Sequence, residues 1–509
     1  MRERWEMLRL RCGEEKTAVA EARCQENYRS GAREGFSNEM GCENKFCRRL
    51  SSRKHRKLHL SLLASCCLIS VTLYVRYSII FPRLSSWLRN HAAPGTPPSG
   101  VISLDHRLGE SVRRKQELKQ GKVPLCDFSK RRSNVCELQG DIRIHGANSS
   151  VLVARPKGVD ESRGSWLIKP HPRKEDPYAM SHVTEVSVKS VSDHAHVPEC
   201  STRSSAPAII FSTGGYMGNA FHDFTDVLIP LFITTSQFDG GVQFLVLDIA
   251  PWWIQKYDSI LKRLSRHRII DLSKDNSVRC FSRAIVGLKF HKEMSVGAAM
   301  SPEGQQLSMP DFGRLLRDSF ALKRQRAIKL GGPDREKKKK PRLMIIARTR
   351  TRRFKNVDEI VRVARELDFE VVVTDTERES NLSEFAQLVN SCDVMMGVHG
   401  AGLANLVFLP IGAVLIQVVP LGEMDDISRV DFGEPALDLK IKYLHYSITE
   451  EESSLIDQYP RDHPVLKEPR SIARQGWVFR RSVYLVKQDV KLNMARFRGF
   501  MLEALRYLH

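Results

Sequence analysis

Between residues 342 and 420, short apolar runs alternate with helical patterns, and this alternation restricts the fold more than any other feature of the 509-residue chain. RLMIIAR (342–348), FEVVVTD (369–375), DVMMGVHG (393–400) and AVLIQVVP (413–420) read as strands. Between them, KNVDEIVRVAREL (355–367), NLSEFAQLVNSC (381–392) and the shorter AGLANLVFL (401–409) read as helices. Strands this apolar, separated by helices, build a parallel sheet covered on both faces. The C-terminal part, residues 342–509, is therefore expected to be half of a doubly wound α/β fold closed by a terminal helix, KLNMARFRGFMLEALRYL. Ligands of such sheets bind beyond the carboxyl ends of the strands.

The preceding block, residues 122–333, has short β-like runs at 150–156, 165–170, 184–191, 208–213, 244–250 and 278–288. One strong helix, Asn219 to Thr235, carries an apolar stripe of Phe221, Phe224, Leu228, Leu231 and Phe232. The charge run DREKKKKPR (334–342) marks a solvated linker, residues 334–341, between two folded domains.

Residues 58–81, LHLSLLASCCLISVTLYVRYSIIF, are apolar except for His59 and Arg76. As a helix they would extend roughly 36 Å, enough to span a bilayer core of ~30 Å. Arg76 lies near one end, where its stem can snorkel to the headgroups. Lys45, Arg48, Arg49, Arg53, Lys54, Arg56 and Lys57 precede the segment, whereas only Arg83 and Arg89 follow it closely. The positive-inside rule then gives a type II signal anchor: a disordered cytosolic tail (1–57), the span (58–81), a Pro/Gly-rich stem (82–121) and a lumenal remainder. Five cysteines follow the span. Cys126 and Cys136 are near enough in sequence to close a disulfide loop worth about 2–3 kcal/mol, and Cys392, at an apolar helix-to-strand junction, is the candidate for a buried free thiol. The net charge of +21 comes without a nucleic-acid-binding signature or interleaved aromatics, so it reads as a solvated basic surface plus a membrane flank and excludes nucleic acid as a partner.

Three stretches carry candidate chemistry. In VHGAGLANLVFLP (398–410) a buried strand ends at His399, Gly400 turns the chain and a helix begins at once. Gly402 lets backbone approach a ligand, and the free N–H groups of the helix start suit a diphosphate. In ARTRTRRFKN (347–356), Arg348, Arg350, Arg352, Arg353 and Lys355 follow the first strand of the same sheet, where guanidinium forks match phosphate oxygens. In STGGYMGNAFHDFTDVLIP (212–230), His222 and Asp226 share one helical face, so the carboxylate can orient the imidazole as a general base; Asp223 is the alternative base. No Asp-x-Asp occurs, so no metal site is expected and the arginines with the helix end are assigned the neutralisation of charge. Asn148-Ser-Ser and Asn381-Leu-Ser are glycosylation sequons; Asn381 with Glu384 also reads as a helix N-cap pair.

With CDFSKRRSNVCELQGDIRIHG (126–146), IKPHPRKEDPYAM (168–180), FSTGGYMGNAFHDFTDVLIPLFIT (211–234), GVHGAGLANLVFLP (397–410) and VDFGEPALDLKIKYLHY (430–446), the chain resembles plant members of glycosyltransferase family 61, in the branch that modifies xylan, from about residue 122 to its end. The resemblance implies a GT-B fold of two Rossmann-like domains, an inverting mechanism and a UDP-sugar co-substrate with no further cofactor. The C-terminal domain would hold the donor through Arg348, Arg350, Lys355, His399, Gly400, Gly402 and Asn405; His222, Asp223 or Asp226 would be the base. His171 stands where the family pattern has an aromatic such as tyrosine. The reaction implied is transfer of arabinofuranose or xylose from a UDP-pentose to xylan in the Golgi, in a membrane-anchored protein that could act as a homodimer or within a Golgi complex. The alternatives are β-1,2-xylosylation of N-glycans, transfer of N-acetylglucosamine to protein, and a non-catalytic scaffold of a polysaccharide-synthesising complex.

Overall fold

The computed structural model describes residues 125–154, 164–191, 197–297, 299–300, 306–331, 339–375 and 381–509. The expected tail, membrane span and stem lie outside these residues, as does most of the 334–341 linker. Among the described residues no helix is long and apolar enough to cross a membrane.

The first ten strands form one sheet: β1 (Cys126–Asp127), β2 (Val135–His145), β3 (Ser150–Ala154), β4 (Ser165–Ile168), β5 (Val186–Val191), β6 (Thr202–Ser204), β7 (Ala208–Ser212), β8 (Gln243–Leu247), β9 (Ile270–Asp271) and β10 (Val278–Val286). Their order is β4-β5-β3-β2-β10-β7-β8-β9, with β1 on β2 and β6 on β10. The expected Rossmann-like character holds only for part of this sheet. Strands β7 to β10 and β6 pair in parallel, but β2 runs antiparallel to β10, β3 and β1, and β4 antiparallel to β5. The cause is local: β2 and β3 are joined by the tight turn 146–149, which permits only antiparallel pairing. Cys126 faces Cys136 across the β1–β2 register and is disulfide-bonded to it; a second disulfide joins Cys200 to Cys280. Cys392 is a buried free thiol, its pKa pushed up to about 11 by burial.

After the short pair β11 (Ala299–Met300) and β12 (Gln306–Leu307), the second sheet comprises β13 (Arg342–Ile346), β14 (Glu370–Thr374), β15 (Val394–Val398), β16 (Val414–Val419) and β17 (Lys442–Ser447). All its pairs are parallel, in the order β14-β13-β15-β16-β17. Chain direction across the sheet reverses between β13 and β15, and a crevice opens beyond the carboxyl ends of such a pair.

The helices that position the site are α1 (residues 220–235), α2 (Pro251–Leu264), α3 (Met309–Phe320), α4 (Val357–Glu366), α5 (Leu382–Asn390), α6 (residues 425–438) and α7 (Met494–Leu508). Asn219 caps α1 by accepting from Phe221 N. Within α1 the stretch Asp223–Leu228 is a π-helical turn, because Pro230 has no N–H to give Asp226 and its ring would strike that carbonyl. Helix α6 widens in the same way over Arg429–Gly433, ahead of Pro435. Both sheets belong to the same compact unit, and one buried core joins them: Phe224 of α1 meets Phe312 of α3 at 6.4 Å and Phe408, after β15, at 5.9 Å.

Candidate active site

The π-turn of α1 aims two carboxylates in different directions. Asp223 points into the protein. Its Oδ1 accepts from Gly218 N at 2.9 Å and Trp253 Nε1 at 2.8 Å, and its Oδ2 from the Tyr257 hydroxyl at 2.8 Å. Burial raises its pKa, only partly offset by these bonds. A carboxylate engaged this way ties α1 to α2, and its geometry leaves little for an incoming hydroxyl.

Asp226 is also buried but faces a polar cluster. Its Oδ2 lies 2.9 Å from His222 Nδ1 and accepts from Arg173 Nε at 2.8 Å; Arg132 stands 3.6 Å from Oδ1. Burial alone would raise its pKa, yet the His222 hydrogen bond and the Arg173 charge outweigh it and hold the carboxyl below its ordinary value. His222 stacks on Tyr216 with ring centroids 4.3 Å apart, and its Nε2 has no hydrogen-bond partner among the described residues. The imidazole is thus fixed at one nitrogen and open at the other.

Around this dyad, Glu293 pairs with Arg132 at 2.9 Å and accepts from Thr225 Oγ1 at 3.1 Å. His171 is buried, with Nδ1 donating to Ser212 O at 3.2 Å; burial lowers its pKa, so the ring is neutral. Its Nε2 packs where a Cβ on Gly215 would come within 2.7 Å, which is why a side chain is not accommodated at that left-handed position. Asp226 Oδ1, His171 Nε2 and Arg132 Nε are buried without a hydrogen-bond partner among the described residues. Three orphaned polar atoms around one carboxylate mark a place where a polar ligand would be welcome. Asp431, on the π-turn of α6, completes the cluster. It is half-buried, and burial followed by the charge of Glu293 pushes its pKa up to about 7.

The second group lies beyond β13 and β15. His399 follows β15, and its backbone carbonyl accepts from Arg352 Nη1 at 2.6 Å. Gly400 has φ 147°, and a Cβ there would meet Arg352 Nη1 at 2.7 Å and Arg348 Nη1 at 3.1 Å. Both guanidinium groups therefore converge on this turn. Burial, then the charges of Arg352 and Arg348, drive the His399 pKa down to about 3, so its ring is neutral. The 3-10 helix Ala401–Phe408 starts at once, with Gly402 and Asn405 buried in it and Asn405 Nδ2 donating to Gly402 O at 2.9 Å.

Not every expected donor residue joins this group. Lys355, expected beside the donor, turns its ammonium to Asp457 at 3.4 Å and its backbone N–H to Val490 O, so it anchors the chain after β13 to the C-terminal segment. Arg350 is exposed, and Arg353 pairs with Asp489. Asn148 is exposed on the β2–β3 turn. Asn381 caps α5, accepting from Ser383 N and donating to Glu384. Arg132, Arg173, Glu293 and Asp431 had no signal in local spacing; Arg132, Arg173 and Asp431 fall within stretches that carried the family resemblance.

A file of aromatic contacts joins the two groups. Phe221, next to His222, meets Phe432, next to Asp431, edge-on at 5.5 Å, and Phe432 in turn meets His399 at 5.6 Å. An oriented imidazole on one side can accept a hydroxyl proton, and a cationic turn on the other can offset the charge of a phosphate. The profile of the family described as Glycosyltransferase 61 matches residues 221–416, which include His222, Asp226, Glu293, Arg348, Arg352 and His399. Alpha-1,3-arabinosyltransferase XAT3 of Oryza sativa subsp. japonica is 51% identical over 434 residues, covering 85% of this chain and 72% of that protein. Beta-1,2-xylosyltransferase XYXT1 of the same organism is 43% identical, covering 75% and 84%. Xylan glycosyltransferase MUCI21 of Arabidopsis thaliana is 33% identical, covering 80% and 84%. The chain belongs to glycosyltransferase family 61, and it is a glycosyltransferase.

Proposed function

We propose that this protein transfers a pentose, arabinofuranose or xylose, from a UDP-sugar to xylan with inversion at the anomeric carbon, as a Golgi type II membrane protein of GT-B architecture. The activities for which its relatives are named, arabinosyl and xylosyl transfer and action on xylan, support the substrate class. The apolar stretch 58–81 with its basic flank supports the anchor. The observation that carries the reading is the meeting of His222–Asp226 and the Arg348–Arg352–His399 turn across the Phe221–Phe432 contact.

In this reading the UDP pyrophosphate lies on the Gly400 turn, where Arg348 and Arg352 offset its charge and the 3-10 helix start supplies N–H groups. The acceptor hydroxyl lies at His222 Nε2. Its oxygen attacks the anomeric carbon while the bond from that carbon to the β-phosphate oxygen breaks on the opposite face, its electron pair leaving with UDP. The hydroxyl proton passes to His222 Nε2, and the imidazolium so formed is stabilised by Asp226. Asp223 takes no part in proton transfer.

The test is incubation of the full chain with UDP-xylose or UDP-arabinofuranose and xylo-oligosaccharides, with the product linkage read by NMR. A new pentosyl linkage made by wild type and lost in His222→Ala is the expected result. Transfer at equal rates by His222→Ala would remove His222 from the reaction, and no transfer from either donor would end the pentosyltransferase reading.

A further inference from the structure

From the buried ring of His399 a file of hydrogen bonds runs outward through four further side chains. His399 Nδ1 meets Gln417 Nε2 at 2.9 Å and Ser428 Oγ at 3.2 Å. Oε1 of the same amide accepts from the Tyr443 hydroxyl at 2.9 Å, and that hydroxyl lies 2.7 Å from His445 Nδ1. His445 Nε2 ends the file 2.7 Å from Asp425 Oδ1. Gln417 is fully buried, whereas the His445 side chain is 28% exposed. The parallel register of β16 and β17 sets Gln417 beside His445, and strand alternation puts Tyr443 on the same face.

Each link has a direction. An amide nitrogen only donates, so His399 Nδ1 accepts and the single ring proton sits on Nε2. An amide oxygen only accepts, so Tyr443 donates its one proton inward. Its oxygen then accepts from His445 Nδ1, and His445 Nε2 donates to the carboxylate of Asp425. With both nitrogens protonated, His445 is an imidazolium paired with Asp425. Removal of the Nδ1 proton reverses the file: Tyr443 donates outward, the amide turns over, and His399 carries its proton on Nδ1. Its Nε2, which has no partner among the described residues, would then present a lone pair where a proton had been.

We propose that Gln417, Tyr443 and His445 are positioning residues that hold His399 in its Nε2–H form, so that it donates a hydrogen bond to the diphosphate of the sugar donor. This rests on the donor site proposed above. Burial and the two flanking arginines keep His399 neutral, so its tautomer is the variable the file controls. Burial, then the charge of Asp425, raises the Tyr443 pKa, so the phenol stays protonated and able to relay. The charged groups about the outer end are Asp425, which also accepts from Ser447 Oγ, and Arg429, both on α6; Lys442 and Arg496 contact Tyr507 and Tyr446, on the opposite face of β17.

The experiment uses the full chain in detergent, labelled with ¹⁵N-histidine, with His399→Gln to assign the His399 signals. Wild type is expected to show His399 as the Nε2–H tautomer. Tyr443→Phe keeps the ring and breaks the file; it should give a mixture of tautomers and weaken UDP binding, measured by calorimetry, about tenfold. His445→Arg, whose guanidinium keeps a donor beside the Tyr443 hydroxyl, should leave UDP affinity near the wild-type value. A Tyr443→Phe protein with an unchanged tautomer and unchanged UDP affinity would overturn the proposal. If Tyr443→Phe shifts the tautomer but wild type itself has no affinity for UDP, the file stands and the donor-site reading falls.

Discussion

Asp226 and Asp431 occupy equivalent places in two different helices. Each stands four residues ahead of a proline, Pro230 or Pro435, and inside the π-helical turn that the proline imposes. Ile229 N consequently bonds Phe224 O, and Glu434 N bonds Arg429 O, five residues back in each case. An extra residue per turn re-aims side chains that a regular helix would spread around its circumference. In this protein Phe221, just ahead of the first widened turn, packs against Phe432 within the second, and both acids lie among Arg132, Arg173 and Glu293.

Asp226 acts through His222. Asp226→Asn would keep the volume but remove the charge that fixes the imidazole and stabilises its protonated form. Turnover is expected to fall about 10²–10⁴-fold, with KM for the UDP-sugar little changed, since the donor lies at the other group. Steady-state kinetics with a matched UDP-pentose would check this; a KM effect without a kcat effect would place Asp226 in binding instead.

Asp223 has the opposite signature. Asp223→Ala would leave Trp253 Nε1, the Tyr257 hydroxyl and Gly218 N without their acceptor. Each stranded buried donor costs about 1–3 kcal/mol, so a loss of about 3–5 kcal/mol is expected in denaturant unfolding. Wild-type stability combined with abolished turnover would return Asp223 to the list of bases.

What the sequence discloses divides by distance along the chain. Strands β13 to β16 and helices α4 and α5 were readable because apolar runs and helical periods are local. The His222–Asp226 pair was readable because four residues of helix bring it together. Helix α2 went unread although Trp253, Tyr257, Ile260, Leu261 and Leu264 line one buried face and Pro251 starts it. Exposed Trp252 beside Trp253 blurs the boundary between the apolar and polar faces. Strand β17, KYLHYS, lacks an apolar run because Tyr443 and His445 occupy its half-buried face. The mixed pairing of the first sheet, and Arg173 meeting Asp226 across 53 residues, depend on contacts no local pattern encodes. Lys355 and Arg348 looked alike in one basic run, and only the pairing of the following segment with residues 488–490 separates their directions.

Gly400 tests the donor turn directly. Its φ of 147° disfavours any side chain, and an added methyl would displace the Arg352 and Arg348 guanidinium groups that sit 2.7 and 3.1 Å from its place. Gly400→Ala should raise KM for the UDP-sugar and Kd for UDP about 10–100-fold, from loss of charge-assisted hydrogen bonds. Calorimetry with UDP alone reads this without chemistry; an unaltered Kd would move the pyrophosphate away from this turn.

Asp431 should leave a mark on the pH dependence of stability. Its pKa in the folded protein is raised to about 7 from an ordinary value of 3.8, first by burial and then by Glu293. Between those two values the folded state keeps a proton that the unfolded chain has released, so the folded state binds more protons and stability falls as pH rises through that window. Below pH 3.8 the carboxyl is neutral in both states and this contribution is complete; above about 7 it is gone. Asp431→Asn carries no ionisable proton and is expected to unfold at higher denaturant than wild type at pH 8, with the difference shrinking toward pH 4. Unfolding curves measured across that range decide the matter: a constant gap between the two proteins would mean that the carboxyl titrates alike in the folded and unfolded chains.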